Sequence, residues 1–135
     1  MQMKYLLILI VLSGLFSCAE NKQPSVSNKI KNEDMANDAK YQAGRSLYIT
    51  NCATCHNLRY ELTGPALQNV EQRWKDKALL YAFIRNSQVV IAKDAYAKDL
   101  YNRYNKVEMT KFAWLKDEEI DQLLHYISMA SNKKD

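Results

Sequence analysis

From Ala39 onward the apolar residues recur every three or four positions, the spacing of helices that bury one face. Strict alternation, the mark of a half-buried strand, is absent from the sequence. The clearest stripe is Ile120, Leu123, Leu124 and Ile127 within "KDEEIDQLLHYISMAS". Its acidic opening, Asp117 to Glu119, complements a helix dipole. "DAKYQAGRSLYITN" reads as a first helix with Asp38 as N-cap. A middle helix is predicted from about Asp76 to Asn86, and a shorter or distorted one in "KDAYAKDLYNRYNK", ending near Asn105. Gly64-Pro65 in "TGPAL" marks a loop. The predicted class is all-α, with three to five helices. Gly44 and Tyr48 share a face of the first helix, where glycine permits close approach of a second helix. Tyr126 is the matching aromatic on the last helix, so those two helices are expected to cross and close the fold.

The first 38 residues have a different character. Lys4 precedes an apolar run from Leu6 to Leu12, the layout of a secretory signal. The run is far short of the ~20 apolar residues of a spanning helix. A short core helix is the competing reading. "LFSC", ending at Cys18, resembles a bacterial lipobox, in which the cysteine is lipidated and becomes the first residue. Phe16 is bulkier than the small residue usual there, and a plain signal peptide with Cys18 unmodified is the alternative. The polar stretch that follows buries too little apolar surface to offset its ordering entropy. The expected organisation is a signal peptide over 1–17, a tether over 18–38 and one domain over 39–135, with the protein exported and lipid-anchored facing the periplasm.

That domain holds two cysteines in "NCATCHNLRY", Cys52 and Cys55, with His56 directly after the second. A dithiol redox switch, half of a zinc site and a covalent haem all use such residues. Four-ligand zinc would need further ligands, and the chain offers only His125 beyond this cluster. A thioredoxin-like motif belongs between a strand and a helix, and no strand pattern is present. C-x-x-C-H outside the cytoplasm is the attachment signature of c-type haem. Two thiols on one tight turn reach the two vinyl groups, and His56 follows as the proximal ligand in its neutral form. The expected cofactor is one haem c, covalent through Cys52 and Cys55, at the centre of the helices.

A second axial ligand must come from far downstream. Met1 and Met3 fall in the signal and Met35 in the tether. Met129 falls in the last helix, where a flexible apolar side chain commonly fills core gaps. Met109 stands in "KVEMTKF", in a loop before that helix, and is the expected ligand. His125, off the apolar stripe of its helix, is the rival.

These residues carry a family resemblance. The stretch from Lys40 to Ser131 resembles class I cytochrome c of the small bacterial mono-haem kind. "AGRSLYITNCATCH" is similar to the family's first helix and haem-binding turn, and "EMTKFAWLKDEEIDQLLHYI" to its methionine loop and last helix. "TGPAL" looks like the loop below the proximal histidine, which implies that the Pro65 carbonyl accepts from His56. Thr110 stands where the family often has proline, Lys116 where a capping serine or threonine is usual, and Trp74 to Tyr104 follow the family loosely. Trp74, Tyr96, Tyr101 and Tyr104 are candidate propionate donors or simply walls of the pocket.

The resemblance and the His/Met pair imply a membrane-tethered electron carrier, not an enzyme, because both iron positions are filled. The alternatives are a fixed electron-entry subunit of a respiratory complex, or a haem-based ligand sensor if Met109 does not bind iron. The net charge is +4, with 19 Lys and Arg against 15 Asp and Glu. Lys93, Lys98, Arg103, Lys106 and Lys111 gather in sequence near Met109. Such a rim steers a carrier onto acidic docking faces, here of a respiratory oxidase or quinol-oxidising complex. The expected state is a monomer, and nucleic acid is not an expected partner.

Overall fold

The computed structural model describes residues 34–133. The signal segment, Cys18, the tether as far as residue 33, and residues 134–135 lie outside the described residues. Among the described residues the regular structure is helical, without strands. Helix α1 spans Ala39–Asn51 and a 3-10 helix spans Val70–Arg73. Then come α2 (Lys77–Arg85), α3 (Ser87–Ile91), α4 (Ala95–Arg103) and α5 (Asp117–Ser131).

Three of these helices start on an aspartate for the same reason. Asp38 accepts from the Tyr41 N–H at 3.0 Å, Asp76 from Leu79 at 2.7 Å and Asp94 from Ala97 at 2.9 Å. Each satisfies an otherwise orphaned donor in the first turn, and is typically worth ~1 kcal/mol. At α5 the cap residue is Lys116, and the missing acceptor is replaced from inside the helix. The Glu119 carboxylate reaches back to the Lys116 N–H at 2.8 Å, one half of a capping box.

Helices α1 and α5 form the main crossing, as the sequence predicts. Gly44 is buried in it, and a side chain there would strike the α5 backbone at Gln122. Tyr126 packs against Tyr41 and Tyr48 with ring centroids 5.0 and 5.3 Å apart. The α5 stripe faces inward, with Ile120, Leu123, Leu124 and Ile127 all buried. Met129 is partly buried and packs on the same cluster, as expected of a gap-filling methionine.

Three features depart from the sequence reading. Asn86, at φ −158° and ψ 91°, ends α2 and opens the unanticipated five-residue α3. Helix α4 stops at Arg103, two residues before the expected end, and the chain turns through left-handed Asn105 and Lys106. Met35, assigned to the tether, is buried among core residues, and its carbonyl accepts from the Gln42 amide at 3.1 Å. Packing onto the domain therefore begins before Ala39. No described helix is long and apolar enough to cross a membrane.

Candidate cofactor-binding site

The cysteine pair sits on a tight turn that continues α1. Cys52 and Ala53 both donate to the Tyr48 carbonyl at 2.9 Å. Cys55 and His56 both donate to the Cys52 carbonyl, at 3.1 and 2.9 Å. The segment therefore stays helical in pitch while the helix proper ends, which puts both thiols and the imidazole within one short turn. Cys52 is half-buried and Cys55 exposed, and the two are not paired with each other as a disulfide. Burial, with Cys55 adding repulsion, pushes the Cys52 thiol up to about 11. Tyr48, packed in the α1–α5 crossing, donates its hydroxyl to the His56 carbonyl at 2.7 Å. The helix crossing thus positions the site directly, a role for Tyr48 that the sequence pattern did not reveal.

The imidazole is held from its outer edge. His56 Nδ1 lies 2.9 Å from the Pro65 carbonyl, the contact implied by the family resemblance. The carbonyl can only accept, so Nδ1 carries the proton and Nε2 keeps its lone pair. The loop that presents Pro65 is tied back by the Gly64 N–H to the Cys55 carbonyl at 2.8 Å. Gly64 is packed against the ring: a Cβ there would lie 2.8 Å from Nδ1 and 3.0 Å from Nε2. Burial, helped by Arg73 and opposed by the Pro65 bond, holds His56 below the ordinary imidazole value. The neutral form, the one that binds metal, is therefore favoured.

Two adjoining clefts open from this histidine, about 790 and 830 Å³ with their open mouths included. His56, Pro65, Phe83, Leu100, Met109 and Phe112 line both, so they are two halves of one crevice. The inner half runs to Trp74, Leu80, Tyr96 and the α5 stripe. The outer half runs past Cys55 and Thr63 to Tyr101, Tyr104 and the loop that carries Met109. The crevice is large, mainly apolar and flanked by two thiols and a neutral imidazole. Those residues fit a haem: apolar walls for the macrocycle, thiols for its vinyl groups, and one free ring nitrogen for its iron.

The chain matches the cytochrome c family over residues 41–131. It belongs to the cytochrome c family. Among solved structures it is similar to the cytochrome c from Rhodothermus marinus, with 30% identity and a TM-score of 0.61. That match covers 72% of this chain and 82% of the other. No curated protein matches the chain significantly.

As a cytochrome c, the protein is a haem-bearing electron carrier rather than an enzyme, and its haem c is covalent through Cys52 and Cys55. The structure sorts the remaining candidates by position. His125 is turned to α1, with Nε2 2.7 Å from Asp38 Oδ2, and is not among the residues lining either cleft. Trp74 is buried against Phe83 and Tyr96, with centroids 4.7 and 5.1 Å away. Tyr104 donates its hydroxyl to Glu61 at 2.6 Å, which commits it to a loop contact. Arg73, not a candidate from sequence, lines the inner half and donates to the Ala66 carbonyl at 2.6 Å. Its only sequence signal was a cation close to Trp74 in a loosely matching stretch. Among the described residues no group of three or more His, Cys, Asp or Glu side chains gathers as a metal cluster.

Proposed function

We propose that this cytochrome c is a tethered one-electron carrier whose iron is held between His56 and Met109. One observation carries the reading. His56 and Met109, from loops far apart in sequence, line both halves of the same apolar crevice. The bound haem supplies a one-electron ferric–ferrous couple. With His56 and Met109 both holding the iron, no position would stay open for a substrate. Pro65 fixes the imidazole through Nδ1 and strengthens it as a donor. The apolar walls disfavour the extra charge of the ferric state, and thioether ligation acts in the same direction, so both raise the potential.

The tether is the lipid on Cys18, followed by the polar segment to about Asp34, in an exported protein facing the periplasm. The "LFSC" motif and the apolar run before it support this reading. Redox partners with acidic docking faces, a respiratory oxidase or a quinol-oxidising complex, fit the exposed Lys93, Lys98, Lys106 and Lys111. Arg103 contributes less to that rim, because Asp99 pairs with it at 3.0 Å.

The test is optical. Ferric protein should have the weak band at the red end that reports an iron–sulfur bond. Reduced wild-type protein should refuse carbon monoxide near neutral pH. Met109→Ala should lose the band, bind carbon monoxide and have a lower potential. Rapid, tight binding of carbon monoxide by the unmutated protein would instead make it a ligand sensor.

A further inference from the structure

Two polar residues among those described are buried, Ser87 and Ser131. Ser131 is satisfied, since its hydroxyl donates to the Ile127 carbonyl one turn back. Ser87 is only 1% exposed, and its hydroxyl has no partner. A buried hydroxyl without a hydrogen bond carries its desolvation penalty uncompensated, so a position that keeps one needs an acceptor. Asn86 Oδ1 and Gln88 Nε2 beside it are also buried and unpartnered, but of the three side chains it is Ser87 that lines the crevice.

The position of Ser87 narrows the choice of acceptor. It lines the outer half together with Val107, Met109, Thr110 and Phe112, and is absent from the inner half with Val70 and Trp74. The junction that carries it is stitched to the Met109 loop. Phe112 donates its N–H to the Arg85 carbonyl at 3.0 Å. Arg85 donates through Nε to the Leu115 carbonyl at 2.8 Å and pairs with Asp117. The loop after Met109 is therefore pinned two residues from Ser87. A methionine sulfur is a weak acceptor with a lone pair to spare beyond one bond to iron.

We propose that the Ser87 hydroxyl donates a hydrogen bond to the sulfur of Met109 in the haem-loaded protein and tunes it as a ligand. The inference rests on Met109 being that ligand. A proton donor at the sulfur draws density away from the iron, which weakens support for the ferric state and raises the potential. Ser87 is then a positioning and tuning residue acting through Met109.

The experiment compares haem-loaded wild type with Ser87→Ala, Ser87→Thr and Ser87→Val. Thr and Val have nearly the same shape and differ in the hydroxyl. The readouts are the reduction potential, the red-end ferric band and the melting temperature. Ala and Val should lower the potential, shift the band and lower the melting temperature, while Thr stays near wild type in potential and band. An orphaned hydroxyl predicts the opposite sign in melting, because its removal would stabilise the protein. If Ala and Val leave potential and band at wild-type values, or if Thr falls with Val, the proposal is wrong and Met109 ligation stands. If the wild-type band is itself missing, Met109 ligation fails and this proposal fails with it.

Discussion

Replacing Gly44 by alanine tests the crossing that places the haem-binding turn. On an exposed helix face this change would help, by ~1 kcal/mol of intrinsic helix propensity. Here the new Cβ would lie 2.5 Å from the Gln122 carbonyl carbon and 2.9 Å from Tyr126 Cβ, against 3.4 Å for ordinary contact. The first of these is backbone and the second is the root of a side chain, so no rotamer change relieves them. The helices must move apart. Overpacking of this kind costs about 1–3 kcal/mol. A gap of half to one ångström also forfeits a quarter to a half of the contact energy along the seam. The Tyr41–Tyr126 and Tyr48–Tyr126 pairs lie on that seam, and such pairs are worth ~0.5–1.5 kcal/mol each beyond their area. With the propensity gain subtracted, the net loss is about 0.5–3 kcal/mol. For a domain of this size that lowers the melting temperature by roughly 3–20 °C. Melting of the haem-loaded variant, followed by far-ultraviolet circular dichroism and by the main haem absorption band, measures it. A Gly44→Ala protein that melts at or above the wild-type temperature would refute the reasoning, because that is the result for a glycine with open space beside it.

Gly64→Ala should push the His56 ring off its Pro65 contact, altering the haem spectrum and costing about 1–3 kcal/mol; an unchanged spectrum and melting curve would count against the cradle. The Tyr41 N–H and then His125 hold the Asp38 carboxyl below its ordinary value of 3.8. Its folded value is depressed, so its stabilisation is present above 3.8 and fades as pH falls through the lowered value. The melting difference between wild type and Asp38→Asn should therefore shrink in strong acid, while the haem spectrum near neutral pH is the same in both. Cys18→Ala should abolish incorporation of labelled lipid and release the protein from membranes or leave it on an uncleaved signal; undiminished labelling would remove the lipid anchor from the proposal.

Much of this cytochrome was legible in the sequence because its signals are local. Asp38 was readable as a cap because it acts within four residues of itself, and in the structure Asp76 and Asp94 cap their helices in the same local way. The α5 stripe is one helix face read at its own period. Cys52, Cys55 and His56 share a single turn, so their spacing alone carries the haem chemistry. Gly44, Tyr48 and Tyr126 were readable as a crossing because a bare position beside an aromatic has few other uses on a buried face.

What local pattern does not contain is which surfaces meet. Helix α3 is too short to display a period, and its start depends on the extended Asn86 that the end of α2 imposes. Met35 belongs to a polar segment by composition, yet it is buried with the core cluster and its carbonyl is tied to Gln42 of α1. Asp38 and His125 lie 87 positions apart, and their contact follows from the α1–α5 crossing. Arg73 and Ser87 reached the crevice in the same way, through long-range packing of loops and short helices around it. Spacing along the chain determined that haem is bound and by which thiols. Only the tertiary structure decided which side chains surround it, because burial is a property of neighbours that the chain brings together from a distance.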